Sequence, residues 1–204
     1  MKISQKYSHL NGEEYLIVHH KKLYKEIIDV IKSIDADEFK KKISSEKTKM
    51  VNTLYSPVEL NKVLDNKFSQ KGLGESLYSY YITLNRELME KSLLMSAKEQ
   101  KDFLTKNGEN NPIFSYNQTD FVKDKIAVEV QFGKYSFVAY DLFVKHMLFY
   151  SGGKINLWIE ILATKAMQSQ MSSCVAYFEG EVYNVMRQGR NSPPVPLLIL
   201  GVEP

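Results

Sequence analysis

Between Ile126 and Leu162 the chain reads IAVEVQFGKYSFVAYDLFVKHMLFYSGGKINLWIEIL, and the order of signals in this stretch decides the fold. Ile126 to Phe132 and Ile155 to Leu162 are runs of β-branched and aromatic residues, which fit a half-buried or buried strand. Ser136 to Tyr150, between them, is a long apolar segment that stops at Gly152-Gly153, the usual end of a helix. Strand, helix, glycine stop and strand is the βαβ order, and its crossover sets the two strands parallel in one sheet. Alternation along the first strand puts Val128, Val130 and Phe132 on one face and Ala127, Glu129 and Gln131 on the other.

Upstream of this unit the chain reads as helical. Gly12 to Ile34 spaces Leu16, Leu23, Ile27, Ile28 and Ile31 as the stripe of an amphipathic helix, and a Lys-rich helix is expected over Ala36 to Ser44. Ser56 and Pro57 open another helix as N-cap and first-turn proline, which ends near Lys71-Gly72. Leu77 to Leu84 predicts a strand, Arg86 to Leu104 a helix, and Asn107 to Pro112 a loop. The segment SYNQTDFVKDK, 115 to 125, forms a hairpin neighbour for Ile126 to Phe132; Val175 to Arg187 adds a helix and Leu197 to Val202 a last strand. The expected class is α/β: a central mixed sheet flanked by helices, with a helical N-terminal half, in one domain over residues 1–204.

Composition bounds the function. The chain has 204 residues, of which 44% are hydrophobic and 25% charged, with 10 Gly and 6 Pro; this excludes a disordered tail and a collagen-like sequence. At this length about 70% of the unfolded surface can be buried, so no disulfide or metal staple is needed. One cysteine, Cys174, makes no internal disulfide and no thiolate zinc site, so it is expected to be a packing residue in a reducing compartment. With no signal-length apolar start, the protein is expected in the cytoplasm. The net charge of +3 is only a weak lean toward polyanions, and Lys40-Lys41-Lys42 fits a solvated helix face.

A carboxylate and a carboxamide in the middle of an apolar strand need an explanation. Either Glu129 lies on an exposed face, or a cation neutralises it, because a buried unpaired carboxylate costs several kcal/mol. Asp120 stands nine residues upstream, where a hairpin would bring it alongside. Two carboxylates and a backbone oxygen form the ligand set a hard cation such as Mg²⁺ prefers.

The pattern of Asp120, eight residues, Glu129, one residue and Gln131 resembles the active-site motif of the PD-(D/E)xK nucleases, in the variant whose final Lys is Gln. The likeness continues through YSHLNGEEYL near the start, YSPVELN at 55–61, residues 115–150, residues 171–190 and the LLILGVEP end, so it runs over essentially the whole chain. The sequence is similar to the BstYI-like type II restriction endonucleases of the BamHI and BglII group. That resemblance implies a restriction-endonuclease-like core and a homodimer on double-stranded DNA. It also implies Mg²⁺-dependent cleavage of a GATC-centred palindrome, purine-GATC-pyrimidine, with 5′ overhangs. It carries Asp120, Glu129 and Gln131 over as catalytic residues, and Asp120, Glu129 and the main-chain carbonyl of Val130 as metal ligands. Gln131 has no charge at any pH; it can hold a water but cannot serve as a base.

Lys134 is a solvated loop lysine by its position alone; under the resemblance it reads the outer base pair, since Lys donates to guanine O6 and N7. Ser172 and Ser173 suit a degenerate purine position because a hydroxyl both donates and accepts, and they equally suit the N-cap of the helix at Val175. Arg187 and Arg190 are expected as phosphate contacts or as plain surface residues. The helix Ser136 to Tyr150 carries Asp141 and Lys145 as an i,i+4 pair on one side and is expected in the core, the dimer interface, or both. His146 reads as a satisfied core or interface histidine. Other readings of the same residues are a GATC-binding protein without cleavage and a hydrolase of small phosphoesters.

Overall fold

The computed structural model describes residues 1–43, 53–133 and 135–204. The chain forms two compact units, one of Met1–Gly74 with Asp120–Pro204 and the other of Glu75–Thr119. Its elements begin with β1 (Lys2–His9), α1 (Gly12–His19), α2 (Lys21–Lys32), β2 (Lys42–Ile43), β3 (Thr53–Leu54), α3 (Pro57–Gln70) and β4 (Gly74–Ile82). They continue with α4 (Arg86–Ser92), α5 (Ala97–Lys106), β5 (Ile113–Lys123), β6 (Ile126–Val130) and α6 (Tyr135–Tyr140). A π-helical turn (Asp141–Lys145), α7 (His146–Ser151), β7 (Leu157–Ala163), α8 (Lys165–Gln168), α9 (Phe178–Met186) and β8 (Leu197–Glu203) complete the chain.

The architecture is the expected α/β one, a mixed six-stranded sheet in the order β1-β8-β7-β6-β5-β4 with helices about it. Strands β6 and β7 pair in parallel and β7 pairs in parallel with β8, as the βαβ reading requires. All of β6 and all of β7 are buried, the pattern of central strands covered on both faces. Ile126, Val128, Val130 and Phe132 join Leu157, Ile159, Ile161, Leu198 and Leu200 in the main core, together with Leu16, Ile27 and Ile31 of the N-terminal helices. The other face of the same strands carries Ala127, Glu129, Trp158 and Glu160. Helix α6, the π turn and α7 run as one continuous rod against it, with the rings of His146 and Phe149 packed on Trp158 at 3.3 and 6.2 Å between centroids.

Local departures from the sequence reading have local causes. β1 was not expected: its sequence is largely polar, and its pairing is supplied by β8 at the far end of the chain, from Lys2 opposite Glu203 to His9 opposite Leu197. The helix expected over Gly12 to Ile34 keeps its apolar stripe but breaks at His20, whose backbone leaves the helical region at φ −136°. The Lys-rich helix expected over Ala36 to Ser44 is only a 3₁₀ turn at Ala36–Phe39, started by the Asp35 side chain and tied off where Ser56 N–H donates to the Phe39 carbonyl; Lys42–Ile43 is strand, and Ser44 lies outside the described residues. Helix α9 starts at Phe178 rather than at Val175.

In the second unit, the helix expected over Arg86 to Leu104 divides, because Ser96 and Glu99 form a complete capping box that starts α5 afresh. Gln100 bridges the pieces, accepting from Tyr81 N–H and donating to the Ser92 carbonyl, and Tyr81 meets Phe114 edge-on at 5.4 Å. No helix among the described residues is long and apolar enough to cross a membrane.

Gly12 opens α1 directly against the start of β8: a Cβ added there would stand 2.4 Å from the Leu197 carbonyl oxygen. Backbone cannot swing aside as a side chain does. Gly12→Ala is therefore expected to lower stability by about 1–3 kcal/mol in urea unfolding, whereas Gly74→Ala, whose added carbon meets nothing within 4 Å, stays close to wild type.

Candidate active site

The hairpin from β5 to β6 turns through Asp124 and Lys125, both with positive φ (51° and 62°), the backbone of a two-residue type I′ turn. This turn sets the register: Lys123 faces Ile126, Val122 faces Ala127 and Phe121 faces Val128. The next step of that ladder puts Asp120 opposite Glu129. Asp120 N–H donates to Glu129 Oε1 at 3.4 Å, so the two acidic residues meet as the spacing requires. Asp120 is exposed while Glu129 is 1% exposed, which leaves one carboxylate at the surface and the other beneath it.

Glu129 does not lie on an open face. Lys145 Nζ stands 2.7 Å from Glu129 Oε1 and 2.7 Å from Asp141 Oδ1, and the lysine is itself 8% exposed. Gln131 Nε2 donates to the other oxygen of Asp141 at 2.6 Å. Burial pushes the Glu129 carboxyl up to about 8, against the pull of Lys145 and with the repulsion of Asp120 adding to it. Burial likewise raises Asp141, opposed by Lys145 and by the Gln131 hydrogen bond. Burial works to lower Lys145, but the two carboxylates overcome it and hold the ammonium above its ordinary value.

A third acid lies deeper. Glu160 on β7 is the register partner of Glu129 and is fully buried, and neither of its carboxyl oxygens has a hydrogen-bond partner among the described residues. Burial, then repulsion from Asp141 and Glu129, raises it far above the carboxylate range, so it is uncharged. His146 Nε2 is 3.6 Å from Glu160, too long for a hydrogen bond, and burial keeps the imidazole neutral. His146 is thus a core histidine as expected, but its ring nitrogens have no hydrogen-bond partner among the described residues rather than being satisfied.

The donor set fits a hard divalent cation. The Asp120 and Glu129 carboxylates and the carbonyl of Val130, at the end of β6, are the groups that would hold it, and Glu129 already draws an ammonium to 2.7 Å. No cluster of three or more His, Cys, Asp or Glu side chains among the described residues has metal-holding geometry, so the remaining positions would fall to water and phosphate oxygens, as Mg²⁺ commonly accepts.

The family model of restriction endonuclease BglII/BglIII matches residues 4–202. The chain belongs to this family. It is a type II restriction endonuclease, a site-specific deoxyribonuclease, of a family that generally uses divalent metal ions. The whole chain superposes on 79% of the restriction endonuclease BglII in its crystal structure complexed with a DNA 16-mer, with a TM-score of 0.67 and 19% identity. It also superposes on 80% of free BglII, with a TM-score of 0.59 and 17% identity. These likenesses show a shared fold. No match was found among curated proteins.

In the endonuclease the two stretches expected to read bases are drawn together. Tyr135 N–H donates to the Cys174 carbonyl and Ala176 N–H to the Gly133 carbonyl, so the loop after Ser172-Ser173 lies along the start of α6. Lys134 lies outside the described residues. Lys42 is exposed and donates from Nζ to Ser172, and Lys40 Nζ donates to Gln170 Oε1 at 2.7 Å, so the Lys40–Lys42 run stays at the surface while two of its lysines touch this loop. Ser173 is exposed, and neither serine caps α9, whose N-cap is Tyr177. Cys174 is exposed in a left-handed conformation (φ 67°), which corrects the packing role expected of it. Arg187 and Arg190 are exposed at and beyond the end of α9, the former with its guanidinium 5.8 Å from the Tyr183 ring.

Sequence reasoning missed Glu160 and the site role of Asp141 and Lys145. The signal for Glu160 was present: INLWIEIL places one acid inside an apolar strand just as IAVEVQF does.

Removing the ammonium leaves buried carboxylates unpaired, so Lys145→Met is expected to lose about 3–5 kcal/mol in urea unfolding near neutral pH. Glu160 gives a pH signature. Its folded pKa is above the unfolded 4.5, so ionisation favours the unfolded chain and stability falls as pH rises past that value. Glu160→Gln should flatten the decline of the urea midpoint as pH rises above about 5.

Proposed function

We propose that the endonuclease is a homodimeric, Mg²⁺-dependent enzyme that cuts a GATC-centred palindrome, purine-GATC-pyrimidine, leaving 5′ overhangs, as BstYI-like enzymes do. The observation that carries the reading is the hairpin register that sets Asp120 against Glu129 at the end of a buried strand. In this reading residues 1–204 act as one endonuclease domain in the cytoplasm.

Asp120, Glu129 and the Val130 carbonyl would hold the metal, which when bound would shield the phosphate and acidify the attacking water. Asp120, at the surface, meets the DNA backbone, while buried Glu129 anchors from below. Gln131 holds the water by a hydrogen bond and leaves the proton to solvent, since a carboxamide is no base at any accessible pH. Lys134, Ser172 and Ser173 contact bases, and Arg187 and Arg190 contact phosphates. The homodimer is supported by the rod from Tyr135 to Ser151, which buries Asp141, Lys145 and His146 inward yet exposes Phe137, Tyr140 and Val144 in a stripe along its outer side.

Plasmid digestion with Mg²⁺ followed by end sequencing tests the site and the overhang. Asp120→Ala and Glu129→Ala are each expected to lower cleavage about a thousandfold while a gel shift with a duplex carrying AGATCT stays near wild type. A wild-type chain that binds this duplex and never cuts it would establish a binding protein instead. Cleavage by either alanine variant at the wild-type rate would overturn the ligand assignment.

A further inference from the structure

We infer that Asp141 is a positioning residue of the cleavage site: it fixes the Gln131 amide with the nitrogen turned inward and the carbonyl oxygen turned outward. The inference rests on the reading of Gln131 as the residue that holds the attacking water, and it adds what decides how that amide faces. Gln131 stands one residue past the end of β6 and is only part-buried, so nothing in its own strand selects one of the two amide orientations. Asp141 does. Its Oδ2 receives Gln131 Nε2 at 2.6 Å, and its Oδ1 is engaged by Lys145 Nζ at 2.7 Å. A carboxylate paired with an ammonium only accepts hydrogen bonds, so the amide must present its NH₂ to it. Gln131 Oε1 is left on the opposite side, next to Gly133, where a Cβ would lie 3.6 Å from it.

The orientation matters chemically. A carbonyl oxygen accepts a hydrogen bond from the water and leaves one of the water's lone pairs free to point at phosphorus. An NH₂ in the same place would bind that lone pair and remove it from the reaction. Asp141 thus selects the productive face of a side chain that has no charge of its own. It is held in turn: the same ammonium that grips Asp141 also grips Glu129 at 2.7 Å, so Gln131 and Glu129 are braced to one cation. The π turn at Asp141–Lys145 puts both ends of this brace on the buried side of the rod.

The test is a double-mutant cycle with a spectroscopic arm. Asp141→Asn keeps the shape but can donate as well as accept, so it no longer enforces one orientation. Single-turnover cleavage is expected to slow about tenfold, with duplex affinity in Ca²⁺ unchanged. Introduced into Gln131→Ala, the same substitution is expected to slow cleavage no further, because the group it positions is gone. In ¹⁵N-labelled wild-type protein, one Gln131 side-chain amide proton should be shifted downfield by the carboxylate and should return toward the free-glutamine position in Asp141→Asn.

Equal slowing by Asp141→Asn in the wild-type and Gln131→Ala backgrounds, or no slowing at all, overturns the brace. A free-glutamine amide signal in the wild type overturns it without any variant, should the Asn variant fail to fold. A wild type that cuts no duplex with any divalent ion overturns the endonuclease reading itself, a different result from either.

Discussion

Lys145 puts its ammonium between Glu129 and Asp141 under a sheet face that water barely reaches, and the rest of the molecule is arranged to keep it there. Two acids buried without a cation would each carry a penalty of several kcal/mol, more than most single packing interactions return. One lysine cannot neutralise every acid on that face. The remainder is met by protonation: Glu160 stays neutral because it is sealed beside Trp158 and His146. The helix rod must therefore cross the sheet at a fixed place, since a shift of one turn would carry the ammonium away from both partners.

The parts of this arrangement that were legible in the sequence are those set by local periodicity. The βαβ order, the parallel pairing of β6 with β7 and the two faces of β6 follow from alternation and glycine stops, and the structure has them. So does the meeting of Asp120 with Glu129, which needs only a hairpin of the right length. What could not be read depends on partners distant in sequence. β1 is an edge strand made by β8, and the break at His20 is a feature of backbone conformation rather than of apolar spacing. Asp141 and Lys145 were legible only as an i,i+4 pair, because that spacing says nothing of which side of a nearly all-apolar helix faces the sheet. Their burial is a tertiary fact.

Candidate chemistry and candidate recognition meet at the same end of β6. Past Val130 the chain gives Gln131, then Gly133, whose carbonyl takes Ala176 N–H, then Tyr135, whose N–H reaches Cys174. The loop proposed to read bases is fastened by main-chain hydrogen bonds to the segment that follows the strand carrying Glu129, so it has little freedom to move independently of that strand. Under the proposed function, recognition of the right sequence and alignment of the scissile phosphate become one geometric event, the preorganisation that such a site would need.

The Asp124–Lys125 turn carries a further implication for how this hairpin can evolve. Both residues sit in the left-handed region without being glycine, so the loop is held to two residues at some conformational expense. Inserting or deleting a single residue would slip β5 by one position and turn every side chain on it to the opposite side of the sheet. Asp120 would then point into the apolar core while Phe121 took its place beside Glu129. Loop length, ordinarily the most forgiving variable in a protein, is here as constrained as the identity of the acids it aligns.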